Sequence, residues 1–165
     1  MDSDLWIQIL ELVVLLALSG FFSSAETAMV SVSKIRLRTL EEEGNKKAAL
    51  ALKILENQSK MLSAILIGNN LVNTSAASIA SVIAYSFGGA AVSIATFIIT
   101  FLILVFGEIT PKTWATINAD KLALAYAPII IFLMKILTPV IWFVNLFSSG
   151  ILKLMGIQDP NKNIS

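Results

Sequence analysis

The segment "LVFGEITPKT", residues 104–113, places a carboxylate where the preceding sequence is strongly apolar. Glu108 lies at the end of a long hydrophobic run, between Gly107 and Pro111. A carboxylate at membrane depth is energetically expensive and indicates a functional site by default. Pro111 lacks a backbone N–H, so an α-helix through it leaves the Gly107 carbonyl unpaired and is expected to break there. The carboxylate and the free carbonyl together predict one wall of a cation site.

Polar side chains interrupt two other apolar segments in the same way. In the first segment, Ser19, Ser23 and Glu26 are spaced i, i+4 and i+7, which places them on one helical face. The second segment carries Asn69 beside a predicted polar face of Ser63, Asn70, Asn73 and Thr74. With a helical rise of about 1.5 Å per residue, Ser23, Asn70 and Glu108 each lie roughly 15 Å from the cytoplasmic end of their segment. Three helices therefore bring polar groups to one depth, which favours a common site.

The composition restricts the chemistry of such a site. The 165 residues are 56% hydrophobic and 14% charged, and they include no cysteine and no histidine. Disulfides, zinc sites of the usual kind and imidazole acid–base catalysis are therefore excluded. Carboxylate, hydroxyl, amide and carbonyl oxygens select hard cations, and with few carboxylates Mg²⁺ or Na⁺ fits better than Ca²⁺. The net charge of +1 gives no indication of nucleic-acid binding.

The apolar pattern predicts an all-α membrane protein. Three segments reach the length of about 20 residues that a transmembrane helix requires, namely residues 1–32, 61–87 and 90–117. The insert at 33–60 contains seven lysines and arginines against four glutamates, and its apolar residues recur at helical spacing. We expect two amphipathic helices forming a cytoplasmic helical hairpin. The excess of basic residues then places the N-terminus outside the cell.

The fourth apolar segment, residues 121–155, allows two interpretations. It could cross the membrane, or it could lie along the inner interface as a bent juxtamembrane belt helix. Pro128 and Pro139 favour a bent helix, and Lys135 could extend its ammonium to the interface. We therefore expect the belt arrangement, with a cytoplasmic C-terminus.

Three stretches of this sequence resemble a known family in order and spacing: "LSGFFSSAETAMVSVSKIRLRTL", "ILIGNNLVNTSAASIA" and "FGEITPKTWA". They are similar to the DUF21 transmembrane domain of the CorB/CorC and cyclin M (CNNM) magnesium transporters, in a prokaryotic form. The resemblance covers residues 1–157. It implies a homodimer in the plasma membrane that exports Mg²⁺, with Na⁺ as the proposed exchange ion. It also implies that residues 158–165 begin a linker to a cytoplasmic CBS-pair domain.

The resemblance also implies which residues bind the ion. Carried over by motif, the ligand set is Ser19, Ser23, Ser24, Asn69 or Asn70, and Gly107 with Glu108. From the residues themselves, Gly20 and Pro111 are candidate hinges. Glu26, nearer the cytoplasmic end of its helix, is a candidate gate residue.

We expect a transporter that binds a largely dehydrated Mg²⁺ in an inward-facing cavity. The main alternative is a membrane-anchored magnesium sensor or partner-binding scaffold that releases no ion outward. An intramembrane hydrolase is a weak third possibility, because Ser23 with Glu108 is not a convincing catalytic pair. We therefore do not expect an enzyme.

Overall fold

The computed structural model describes residues 2–157, which are almost entirely helical and contain no strand. The prediction of an all-α protein is confirmed for this part of the chain, and the predicted linker at 158–165 lies outside it. The elements in chain order are α1 (Asp2–Ser31), α2 (Lys34–Glu42), α3 (Lys46–Glu56), α4 (Gln58–Tyr85), α5 (Gly89–Leu102), a π-helical segment (Ile103–Ile109), α6 (Thr110–Ile117), α7 (Ala119–Ile136) and α8 (Thr138–Leu154).

Two continuous helices are long and apolar enough to cross a membrane by themselves, at Ser3–Ser31 and Gly89–Ile117. The second is formed by α5, the π-helical segment and α6. Helices α7 and α8 qualify as a third span only if they are taken together, because they meet at an angle of 63°. Helix α4 has 28 residues, which is sufficient length, but its Ser- and Asn-rich sequence is less apolar. The described chain thus has two to three candidate spans, and the three-span arrangement of 1–32, 61–87 and 90–117 remains a prediction.

Helix α4 packs against α1 and α5, and over residues 68–84 it buries one narrow stripe of residues. The stripe repeats every four residues and consists of Gly68, Val72, Ala76, Ala80 and Ala84. Small side chains let two helix backbones approach closely. At Gly68 the approach is closest, because a Cβ added there would lie 2.5 Å from ring atoms of the buried Phe22. This contact fixes the level at which the neighbouring Asn69 faces α1.

The predicted helix break at Pro111 is wrong. The helix instead widens over Ile103–Ile109 into the π-helical segment and continues as α6, in whose first turn Pro111 lies. The N–H of Thr110 donates to the carbonyl of Val105, five residues earlier. A proline is tolerated in a first helical turn, where the missing N–H is least needed. Such short π-helical segments occur frequently at functional sites.

The candidate hinge Gly20 does not interrupt the first helix. Helix α1 runs without interruption from Asp2 to Ser31. Gly20 instead lets α1 lie against the π-helical segment. A Cβ on Gly20 would be 3.1 Å from the Phe106 carbonyl oxygen and 3.3 Å from Pro111 Cγ.

The fourth apolar segment forms two helices rather than the single one expected at 121–155. Helix α7 ends at Ile136 and α8 begins at Thr138, directly before Pro139. A proline disfavours helical geometry in the residue before it, so the bend falls at this point. The hydroxyl of Thr138 donates to the Met134 carbonyl at 2.7 Å, which satisfies one acceptor at the end of α7.

Helices α2 and α3 pack against each other, and α3 packs on α7. Helices α2 and α3 each begin with a capping side chain. Ser33 accepts from the N–H of Arg36, and Asn45 accepts from the N–H groups of Lys47 and Ala48. Such caps stabilise a helix by about 1 kcal/mol. The carboxylate of Asp120, at the start of α7, accepts from the Ser33 N–H at 3.1 Å and from Arg36 Nη1 at 3.2 Å. The junction of α1 and α2 is therefore fastened to α7.

Candidate cation site

The candidate site lies where α1, α4 and the π-helical segment meet, and its side chains form one hydrogen-bonded group. The Ser19 hydroxyl donates to Asn73 Oδ1 at 2.6 Å and lies 3.4 Å from Asn69 Oδ1. Asn73 Nδ2 lies 3.5 Å from the same Asn69 oxygen. Asn69 Nδ2 in turn donates to Glu108 Oε1 at 3.3 Å. The structure thus brings together Ser19, Asn69 and Glu108, which are widely separated in the sequence.

Gly107 lets the π-helical segment lie directly against Ser19. A Cβ on Gly107 would be 2.6 Å from Ser19 Oγ and 3.2 Å from Ser19 Cβ. Any side chain at this position would displace the serine hydroxyl, so only glycine allows the observed contact. Gly107 is buried, and its backbone borders the site.

Ser23 lies one helical turn from Ser19 on the same face of α1. Its side chain is 0% exposed, and its hydroxyl has no hydrogen-bond partner among residues 2–157. A buried polar group without a partner costs about 1–3 kcal/mol, and such groups in native proteins usually meet an ordered water or an ion. The unpaired Ser23 oxygen is therefore available to a ligand in this part of the fold.

Ser24 is also buried but faces a different helix. Its hydroxyl lies 3.2 Å from the Tyr126 hydroxyl of α7 and donates to the Phe21 carbonyl at 3.0 Å. Phe21 packs edge-on against the Tyr126 ring, with centroids 5.0 Å apart. Because consecutive helical residues are rotated by about 100°, Ser24 is turned away from the face of Ser19 and Ser23. In this structure it joins α1 to α7.

Two further predicted residues lie outside the hydrogen-bonded group. Asn70 is exposed, whereas the adjacent Asn69 contacts Glu108. The spacing of four residues between Asn69 and Asn73 places these two on the face toward α1, so the structure singles out Asn69 of the two candidates. Glu26 is half-buried on α1, beyond Ser23. The candidate hinges Gly20 and Pro111 contact each other at the α1–α6 boundary.

Sequence reasoning missed the partner of Glu108. Lys112 Nζ lies 3.2 Å from Glu108 Oε2, so the carboxylate is bound by an amide on one oxygen and by an ammonium on the other. The side chains of Lys112 and Glu108 are 45% and 23% exposed. Their i, i+4 spacing, with the acid first, is a readable signal for a helical ion pair. Asn73 was already part of the predicted polar face of the second segment, whereas no local signal points to Tyr126.

The donors of this site fit a small hard cation. They comprise one carboxylate, serine hydroxyls, asparagine amide oxygens and nearby backbone, and such oxygen donors suit hard cations such as Mg²⁺, Ca²⁺ and Mn²⁺. No group of three or more His, Cys, Asp or Glu side chains converges within residues 2–157. Any ion held here would therefore depend on neutral oxygens for most of its coordination. Of these groups, the buried Ser23 hydroxyl is the one without a hydrogen-bond partner among residues 2–157.

Long apolar helices that bring a carboxylate, an amide and a hydroxyl together are typical of a helical membrane protein with an internal polar site. The sequence matches the family described as "Cyclin M transmembrane N-terminal domain" over residues 10–165. This match covers nearly the whole chain, and the chain belongs to that family. The resemblance to the DUF21 and cyclin M domains is thus confirmed.

Curated relatives support the same assignment. The chain is 45% identical over 155 residues to a UPF0053 protein of Haemophilus influenzae, covering 93% of this chain and 37% of the relative. It is 34% identical over 142 residues to the UPF0053 inner membrane protein YfjD of Escherichia coli, covering 86% and 33%. A third relative, at 29% over 172 residues, is named a polyamine export protein of Haemophilus influenzae, covering 96% and 40%.

The chain spans about a third of the length of the first two relatives. The comparisons and the apolar helices together place it in a membrane.

Proposed function

We propose that this chain is the membrane domain of a transporter that moves Mg²⁺ out of the cell, with Na⁺ as a possible coupling ion. The observation that carries the proposal is the convergence of Ser19, Asn69 and Glu108 from three separate helical segments. Asn69 donates to Glu108 at 3.3 Å, and its oxygen lies 3.4 Å from the Ser19 hydroxyl. Placing these polar groups inside an apolar bundle is costly unless they serve a ligand. One relative is named a polyamine export protein, and this printed name supports a role in transport.

The ion would bind between α1 and the π-helical segment. Mg²⁺ demands six oxygens at about 2.1 Å in an octahedron. Glu108 would supply the charge, Ser19 and Ser23 the hydroxyls, and Asn69 an amide oxygen, with the Gly107 backbone beside them. Because only one carboxylate is present, we propose that a nearly dehydrated ion is held by many weak ligands, which permits release.

Outward transport of Mg²⁺ requires an energy source. Moving one Mg²⁺ outward against a negative-inside potential of 100 mV costs about 4.6 kcal/mol, twice the cost for a single charge. Na⁺ entering down its gradient could supply this. We propose that the ion reaches the site through an inward-facing cavity that passes Glu26, and that the α1–α6 contact at Gly20 and Pro111 shifts during outward release.

The proposed assembly is a homodimer in the plasma membrane that contacts lipid through its exposed apolar side chains. Helix α5 presents such a surface, with Phe97 80% exposed and Phe101 64% exposed. The N-terminus would be outside and the C-terminus in the cytoplasm, where the CBS-pair domain implied by the resemblance would follow residues 158–165.

A small ion is a better candidate than a polyamine, although one relative is named a polyamine export protein. A polyamine carries several ammonium groups spread along a chain, and each needs a separate anionic or aromatic partner. The described residues instead offer one carboxylate with neutral oxygens closely around it.

The proposal is tested by efflux of Mg²⁺ from proteoliposomes that contain the purified chain. Glu108→Gln keeps the size of the side chain and its bond to Asn69 but removes the charge, so we expect Mg²⁺ efflux to fall to background. Glu11→Gln, an exposed acid on α1, is the matched control and should transport normally. Spermidine should neither be transported nor compete at equal concentration.

Two results would contradict the proposal. Efflux by the Glu108→Gln variant at the rate of the unmodified protein would exclude the site. Folded protein that binds Mg²⁺ but never transports it would favour the alternative, a membrane-anchored magnesium sensor or scaffold.

A further inference from the structure

The Glu108 carboxylate already has a cationic partner in this structure, because it forms an ion pair with Lys112. The ammonium lies 3.2 Å from Oε2, one helical turn away on the same helix. Lys112 is tethered, so it faces the carboxylate at an effective concentration in the millimolar range. A cation that binds Glu108 must therefore compete with a charge that the protein itself carries.

The same geometry makes it unfavourable for Lys112 and Mg²⁺ to contact Glu108 at the same time. An ammonium in contact with one carboxylate oxygen and Mg²⁺ on the other would lie only a few ångströms apart, where like charges at reduced dielectric repel strongly. Ion pairs of partly exposed side chains are individually weak, so a divalent ion can replace this one.

Lys112 has space to move its side chain away from the Glu108 carboxylate. Its side chain is 45% exposed, and it borders an open groove of about 470 Å³ beside Glu108, Thr100 and Leu104. Four methylene groups can extend along the apolar wall of that groove while the ammonium moves toward a polar boundary.

We propose that Lys112 is an internal counter-ion that occupies Glu108 when the transported cation is absent and is displaced when the cation binds. This inference rests on the proposed ion site and adds to it a residue that sets affinity. The empty site then carries no net charge, and the bound ion is held less tightly than the oxygen set alone would allow. Lys112 lowers affinity through its charge, without acting as a ligand.

The test is calorimetric titration of the purified full chain with Mg²⁺ in detergent. Lys112→Gln and Lys112→Met both remove the charge, and Lys112→Arg retains it. An ion pair at the upper end of the range for partly exposed side chains holds the carboxylate about four-fifths of the time, which weakens apparent binding about fivefold. We therefore expect the Kd for Mg²⁺ to fall about fivefold in the two neutral variants and to stay within about twofold in the arginine variant.

Each outcome separates this inference from the function on which it rests. Unchanged or weaker Mg²⁺ binding in both neutral variants would overturn the role of Lys112, provided that Glu108→Gln abolishes binding. If Glu108→Gln binds Mg²⁺ as the unmodified protein does, or no variant binds, the ion site itself fails. A gain in the neutral variants that disappears in the Glu108→Gln/Lys112→Gln double variant supports the inference.

Discussion

At the scale of single residues, the site depends on glycines as much as on its polar groups. The Ser19 hydroxyl occupies the space that a Cβ on residue 107 would need, so the two cannot be present together. The position of Ser19 in turn decides where Asn73 and Asn69 lie, because Ser19 contacts both amide oxygens. A backbone without a side chain is therefore part of the binding geometry.

The Gly107→Ala variant tests this dependence. The added Cβ would lie 2.6 Å from Ser19 Oγ, so the helices must separate or the serine must rotate. Overpacking of this kind costs about 1–3 kcal/mol. We expect a lower melting temperature and at least a tenfold loss of Mg²⁺ affinity, measured by thermal unfolding and by titration.

Gly150→Ala is the matched control, because a Cβ at this position in α8 meets nothing within 4 Å. It should be neutral or more stable by about 0.5–1 kcal/mol, the usual gain for alanine over glycine in a helix. If Gly107→Ala behaves like Gly150→Ala, the close contact with Ser19 has no energetic importance.

The sequence was sufficient to identify Glu108, since a carboxylate within an apolar run is energetically expensive to bury in a membrane and therefore indicates a function. It was not sufficient to choose between Asn69 and Asn70, because a shift of one residue rotates a side chain by about 100° and the rotation of α4 is set by its contact with α1. The same reasoning applies to Ser24, which is turned toward Tyr126 by packing that only tertiary structure defines.

At the scale of elements, the π-helical segment Ile103–Ile109 is the least predictable feature. Its residues, ILVFGEI, are compatible with an ordinary α-helix or with a break at Pro111. The change from i→i−4 to i→i−5 hydrogen bonds accommodates the proline without interrupting the helix. In contrast, the helical character of α2 and α3 followed directly from apolar periodicity, and that of α1 followed from the length of its apolar run.

The packing of α4 on α1 predicts the effect of Gly68→Ala. The new Cβ would lie 2.5 Å from Phe22 ring atoms, and the ring is confined because it is buried and packs on Phe21 at 5.3 Å. We expect a loss of about 1–3 kcal/mol in the free energy of unfolding, which exceeds the helix-propensity gain. Thermal unfolding of the purified variant measures it.

A second substitution checks the cause. Phe22→Leu removes the ring atoms that clash, so the double variant with Gly68→Ala should lose less stability than the sum of the two single changes. Simple additivity would mean that Gly68 acts through something other than contact with Phe22.

At the scale of the whole molecule, the open question is how many helices cross the membrane. The chain contains no cysteine, so single cysteines introduced at exposed positions can be labelled without background. With the predicted topology, Ser3→Cys and Ser86→Cys should react with an impermeant maleimide in intact cells. Lys46→Cys should react only after the cells are permeabilised.

The same assay separates the two interpretations of α7 and α8. Ile157→Cys should be protected in intact cells if α7 and α8 lie along the inner interface, and labelled if they cross as a bent pair. Labelling of Lys46→Cys from outside would mean that the orientation is inverted. Protection of Ser86→Cys beside a labelled Ser3→Cys would mean that α4 does not cross.

The contacts of Asp120 with Ser33 and Arg36, which join the start of α2 to α7, have a practical consequence. Its contact to Arg36 is 3.2 Å long, but the two side chains are 36% and 71% exposed. Charges this close remain attracted at physiological ionic strength, where screening acts beyond about 8 Å, whereas 1 M salt shortens that length to about 3 Å. Because α3 also packs on α7 through buried apolar residues, the pair α2–α3 should stay docked during the concentrated-salt washes that strip peripheral proteins from membranes. Only the attraction between Asp120 and Arg36 weakens there, so the start of α2 should be less constrained in preparations made in that way.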